Sequence, residues 1–70
     1  MVDAAVDVRE MLCAQALAVV AQAVDRLPSG GLLTVQYDAQ DVRDDLGIWA
    51  HSHGHGFDVV DAATLQVRRA

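Results

Sequence analysis

Polar and apolar residues alternate from the start of the chain. Val2, Ala4, Val6 and Val8 are interleaved with Asp3, Ala5, Asp7 and Arg9. A period of two predicts a strand with one buried face. From about Ala14 the period lengthens. Leu17, Val20, Ala21, Val24 and Leu27 fall on one helical stripe, with Gln15, Val19, Gln22 and Arg26 opposite. Pro28-Ser29-Gly30-Gly31 stops that helix. Leu33, Val35 and Tyr37 then alternate with Thr34 and Gln36 as a second strand. An acid-rich stretch, Asp38 to Asp45, opens a second helix in which Val42, Leu46, Trp49 and His53 share a face. Gly47 in its interior costs ~1 kcal/mol relative to Ala, and Gly54 suits a C-terminal cap. Phe57, Val59 and Asp61 predict a third strand, Ala62-Ala63 a short turn, and Thr64–Arg68 a last alternating strand.

The order β-α-β-α-β-β predicts a two-layer α/β (α+β) sandwich, a four-stranded mixed sheet with two helices on one face. The first strand, helix and second strand form a right-handed βαβ unit with parallel strands. Asp3, Asp7, Thr34, Gln36, Asp58, Thr64, Gln66 and Arg68 occupy the other, wet face.

Length narrows this further. Residues 1–70 make a single domain, and a chain of this size buries only ~60% of its unfolded surface. Hydrophobic residues are 53% of the chain but aromatics only 4%, so the core is built from Ala, Val and Leu. That suffices for compactness and leaves too little for a large internal ligand cavity. Any site is expected at the surface or at the end of an element.

Charge excludes whole classes of partner. The net charge is −5, from ten acidic residues against five Arg and no Lys. Without a basic cluster, nucleic acid and anionic membrane surfaces are disfavoured. No apolar run is long enough to span a bilayer, and Met1-Val2-Asp3-Ala4 lacks the basic start of a signal peptide. A single cysteine rules out an internal disulfide framework. A cytoplasmic location is the expectation.

Candidate chemistry centres on Cys13, at the junction of the first strand pattern and the first helix. A thiol at a helix N-terminus faces free backbone N–H groups and the positive end of the macrodipole, which favour the reactive thiolate. Arg9 adds a positive field and Glu10 opposes it. Free Cys is also among the most buried residue types, so plain packing is the competing reading. His51, His53 and His55 alternate. On a helix, positions two apart diverge, so a polar helix terminus is expected there and no metal site. The acidic run Asp38–Asp45 has no EF-hand spacing and is expected to be a solvated cap region. Trp49 and Met11 read as core or rim packing. Gly30-Gly31 is an isolated turn, since no helix follows to present its N-terminus to a phosphate.

The stretch Asp7-Val8-Arg9-Glu10-Met11-Leu12-Cys13-Ala14-Gln15-Ala16-Leu17 resembles the signature of the TusA/SirA-like sulfur-carrier family, in which an Asp, a few residues and a Cys-Pro-x-Pro motif open the first helix. Asp7 matches the Asp, Cys13 the sulfur-carrying cysteine and Leu17 the following apolar residue. Leu32, Val35 and Asp38 are similar to the family's second strand and its acidic end. Asp45-Leu46-Gly47-Ile48-Trp49 resembles its Asp-Ile-Pro-x-Trp/Phe helix start, and Gly54-His55 its Gly-His turn. The resemblance covers nearly the whole chain. This chain departs from it at both prolines, replaced by Ala14 and Ala16, and at the usual Gly, replaced by Glu10.

The resemblance implies a sulfurtransferase-type carrier. The Cys13 thiolate takes sulfane sulfur from a protein donor of the rhodanese or cysteine desulfurase kind and passes it to a protein acceptor, with no cofactor. Arg9, Glu10 and Gln15 are the expected partner contacts, from their location around the thiol. The alternative is a non-catalytic protein-interaction or redox-regulatory domain of the same fold with a vestigial cysteine, for which the Pro-to-Ala changes speak.

Overall fold

The computed structural model describes residues 3–70; Val2, assigned to the first strand pattern, lies outside them. The elements are β1 (Asp3–Asp7), α1 (Cys13–Asp25), β2 (Leu32–Gln36), α2 (Gln40–Ser52), β3 (Gly56–Val59) and β4 (Thr64–Arg68). They form the four-stranded mixed sheet and two helices that the patterning predicts. Strand order is β1-β2-β4-β3. β1 and β2 are parallel neighbours, with Val6 opposite Val35, while β4 runs antiparallel to both β2 and β3.

Burial follows position in the sheet. The inward residues of the two central strands, Leu33, Val35, Leu65 and Val67, are fully buried. On the edge strands, Ala4, Val6 and Phe57 are only half-buried, because a helix covers them on one side and nothing flanks them on the other. α1 buries Ala16, Val20 and Val24 against the sheet, and α2 buries Val42, Leu46 and Ala50. The core is entirely apolar; no polar side chain is buried among the described residues.

Four details differ from the patterning. α1 starts at Cys13, one residue earlier than expected, so the cysteine is the first helical residue and lies inside the helix. The buried stripe of α1 is rotated: Ala16 is fully buried, Leu17 and Ala21 only half. On α2, Ala50 takes the buried place assigned to His53, which is exposed and caps the helix. β3 ends at Val59, since Asp61 turns its carboxylate back onto the Ala63 N–H (2.8 Å) and starts the turn.

Gly47 has a packing reason. A Cβ there would lie 3.1 Å from Cε2 of Phe57, so the bare backbone lets the Phe57 ring seat directly against α2. The conformational cost of the glycine is offset by that contact.

Candidate functional site

Cys13 sits where the tip of α1 approaches the first half of α2. Leu12 is the N-cap residue, in extended conformation (φ −70°, ψ 155°), and its side chain has no acceptor to offer the first turn. The return half of a capping box is present instead: the Leu12 N–H donates to Oε1 of Gln15 at 3.3 Å. Gln15, expected at a partner surface, is exposed but spends its side-chain carbonyl on this cap.

The turn before the helix is tight. Glu10 adopts φ 65°, the only non-glycine residue with positive φ among those described. A side chain in this left-handed region clashes with its own carbonyl by ~1–2 kcal/mol. The turn is fastened by the Glu10 N–H, which donates to Oδ2 of Asp38 at 3.0 Å. Glycine, without a Cβ, would adopt this conformation free of that strain. Arg9 forms a two-pronged pair with Asp7, Nη2 to Oδ2 at 2.8 Å and Nε to Oδ1 at 3.0 Å. Those hydrogen bonds hold the Asp7 carboxyl down at about 2. Asp7, Arg9, Glu10 and Asp38 together line a small polar cleft. The structure therefore places Arg9 and Glu10 in the turn that leads into the Cys13 end of α1, with Arg9 committed to Asp7.

The electrostatics of the thiol reverse the sequence expectation. Cys13 is half-buried, and its Sγ donates to Oδ2 of Asp41 at 3.6 Å. Asp45, one turn further along α2, lies on the same side. The Asp45 carboxylate first, then burial, then the negative charge of Asp41 push the thiol up to about 11 from 9.0. The positive end of α1 is present, but two carboxylates from α2 occupy that field and stabilise the protonated sulfur. At pH 7 such a thiol is held in its protonated form.

Asp41 and Asp45 are the site residues that patterning missed. Both fall in the acidic run read as a solvated cap. Their i, i+4 spacing puts them on one side of α2, but only the packing of α1 against α2 turns that side toward Cys13.

Among the described residues, no three or more His, Cys, Asp or Glu side chains converge as a metal site requires. His53 and His55 instead stack on each other (centroids 6.1 Å apart, planes 11°), and Trp49 lies 5.1 Å from the first ring and 5.3 Å from the second. Nδ1 of His53 is 2.9 Å from the Trp49 carbonyl, and Nδ1 of His55 accepts from the Ala70 N–H at 3.1 Å. No described helix is long and apolar enough to cross a membrane. In comparisons with known proteins, no family model, no curated protein and no solved structure matches this chain.

Proposed function

We propose that this chain is a cytoplasmic sulfur carrier resembling the TusA/SirA-like family, accepting and donating sulfane sulfur as a persulfide on Cys13. The observation that carries the reading is the placement of the only thiol. Cys13 is the first residue of α1, half-exposed at an end of the domain, beside a Leu12 that is 74% exposed. A donor protein needs that access to reach the sulfur. In the transfer, the Cys13 thiolate attacks the terminal sulfur of the donor persulfide. One S–S bond forms as another breaks, the donor leaves as a thiolate, and no net oxidation occurs. The thiol proton must leave first, and Asp41 and Asp45 hold it. Transfer therefore accelerates with pH through the alkaline range.

A second reading is favoured by that same pair of carboxylates: a protein-interaction domain of this fold whose Cys13 stays protonated and takes no part in exchange. Mass spectrometry after exposure to glutathione persulfide, at neutral pH and at about pH 10, separates the two. The carrier gains the mass of one or more sulfur atoms, faster at the higher pH, and Cys13→Ala gains none. An unmodified wild-type chain at both pH values overturns the carrier reading and leaves the second.

A further inference from the structure

The sheet edge at β3 is a feature independent of Cys13. β3 is last in the strand order, so its outer side has no neighbouring strand among the described residues. The Val60 N–H bonds to the Thr64 carbonyl at 2.9 Å. In an antiparallel ladder hydrogen-bonded pairs recur at every second residue. With Asp58 opposite Gln66 and Gly56 opposite Arg68, those two residues point their backbone groups at β4. Phe57 and Val59 therefore direct theirs outward. Exposed edges of this kind are usually blunted by Lys, Pro or a bulge. This edge carries no Lys, Pro or bulge; its one charged residue is Asp58, in a strand of four residues.

Beside the edge runs an open groove of about 620 Å³ between β3 and α2, lined by Asp44, Gly47, Ile48, His51, His55 and Phe57. Two of the four large hydrophobic residues exposed in the described chain lie here: Ile48 (68%) lines the groove and Val59 (41%) is on the edge strand itself. The Phe57 ring, seated against Gly47, floors the groove. An added strand would place alternate side chains into the groove while its backbone pairs with Phe57 and Val59.

Charge selects the occupant. Asp44 sits in the groove, and Asp58 and Asp61 lie along and just beyond β3. Asp44 is within 3.2 Å of Arg43, while Asp58 and Asp61 have no ion-pair partner among the described residues. Arg68 is diagonal to Asp58 across the ladder, on the wet face. A second copy of the chain would bring the same acids to the interface and its own net charge of −5. We propose that the β3 edge and the Ile48–Phe57 groove bind an extended, basic segment of a partner protein, which joins the sheet as a fifth strand.

The test is an NMR titration of the isotope-labelled full chain with two probe peptides, Lys-Val-Arg-Val-Lys and Glu-Val-Glu-Val-Glu, both blocked at their ends. The basic peptide is expected to shift the amides of Phe57 and Val59 and those of α2 around Ile48, and to bind about tenfold more tightly than the acidic one. Ile48→Lys, at a position exposed enough to leave the fold intact, is expected to weaken binding of the basic peptide about tenfold. The inference is overturned by the absence of shifts at millimolar peptide, by shifts mapping away from β3 and α2, or by equal affinity for both peptides. It is overturned too if the same amides shift with protein concentration alone, which would make a second copy the occupant.

Discussion

The two ends of α1 are both served by charges from distant parts of the chain, with opposite consequences. The helix itself carries no acidic residue in its first turn and no basic residue in its last. At the C-terminal end Arg69 supplies the missing cation. Its Nη1 donates to the carbonyls of Val24 (3.3 Å), Asp25 (3.0 Å) and Leu27. The Val24 carbonyl also accepts from the Leu27 N–H (3.0 Å), and the guanidinium complements the negative end of the macrodipole. At the N-terminal end Asp41 and Asp45 supply the missing anions. There, however, a thiol competes for the same field, and the carboxylates hold it protonated. An end with one tenant gains stability; an end with two makes one of them chemically quiet.

The sharpest way to break this comparison is to remove the clamp. Arg69→Met keeps most of the apolar stem but leaves three carbonyls without their charged donor. The expected loss is about 2 kcal/mol, read as a drop in thermal midpoint of roughly 10 °C for a domain this small. A midpoint unchanged in Arg69→Met would mean the C-terminal end needs no cation.

The N-terminal end is tested by releasing the thiol. Asp41→Asn with Asp45→Asn removes both negative charges. The Cys13 titration, followed by iodoacetamide labelling against pH, is then expected to fall from about 11 toward its ordinary value of 9.0, with burial still holding it up. Because the less basic thiolate is also the weaker nucleophile, the gain in labelling rate near neutrality is about tenfold rather than a hundredfold. A titration that stays near 11 in the double variant would put burial, not charge, in control.

A smaller effect sharpens the same end. Glu10→Gly relieves the left-handed backbone just ahead of Cys13, partly offset by the greater freedom of glycine in the unfolded chain, and is expected to stabilise by about 1 kcal/mol. Glu10→Ala, which keeps the strained φ, should give no such gain, and denaturant midpoints compare the two directly.

The least effect is expected in the pH dependence of stability. Cys13 titrates higher in the folded than in the unfolded chain. Its contribution is therefore intact below about pH 9 and declines as pH rises toward 11. Asp7 titrates lower when folded, so its contribution is intact above about 3.8 and is lost as pH falls toward 2. Cys13→Ala should flatten the alkaline limb alone and Arg9→Ala the acid limb alone. Urea midpoints across the pH range check both.

The architecture was legible because periodicity and fold agree nearly everywhere: strict alternation in Leu33-Val35-Tyr37 and Leu65-Val67, helical spacing in Val20-Val24 and Val42-Leu46. The exceptions have local causes. Ala16 is buried and Leu17 is not because a small side chain fits where α1 comes close to the sheet. His53 leaves the stripe because it caps α2. The position of Cys13 was legible to within one residue, yet its chemistry was not. A helix N-terminus is a local feature, whereas the carboxylates that oppose it, Asp41 and Asp45, stand 28 and 32 residues away in sequence. Glu10 offered a weak signal, a non-glycine residue where the resembling family places Gly.

β4 is the latest strand in the chain and one of the two central ones in the sheet. That arrangement orders events during synthesis. The β1-α1-β2 unit can assemble from neighbouring segments, but Leu33 and Val35 keep one bare flank until Leu65 and Val67 arrive beside them. β3 has no strand to join before its own hairpin partner is made. A ribosome-bound chain ending anywhere before Thr64 thus exposes an unpaired β2 flank with its apolar face uncovered on that side, the kind of surface to which chaperones respond. Closure of the domain is a single late event, set by when the last strand clears the exit tunnel.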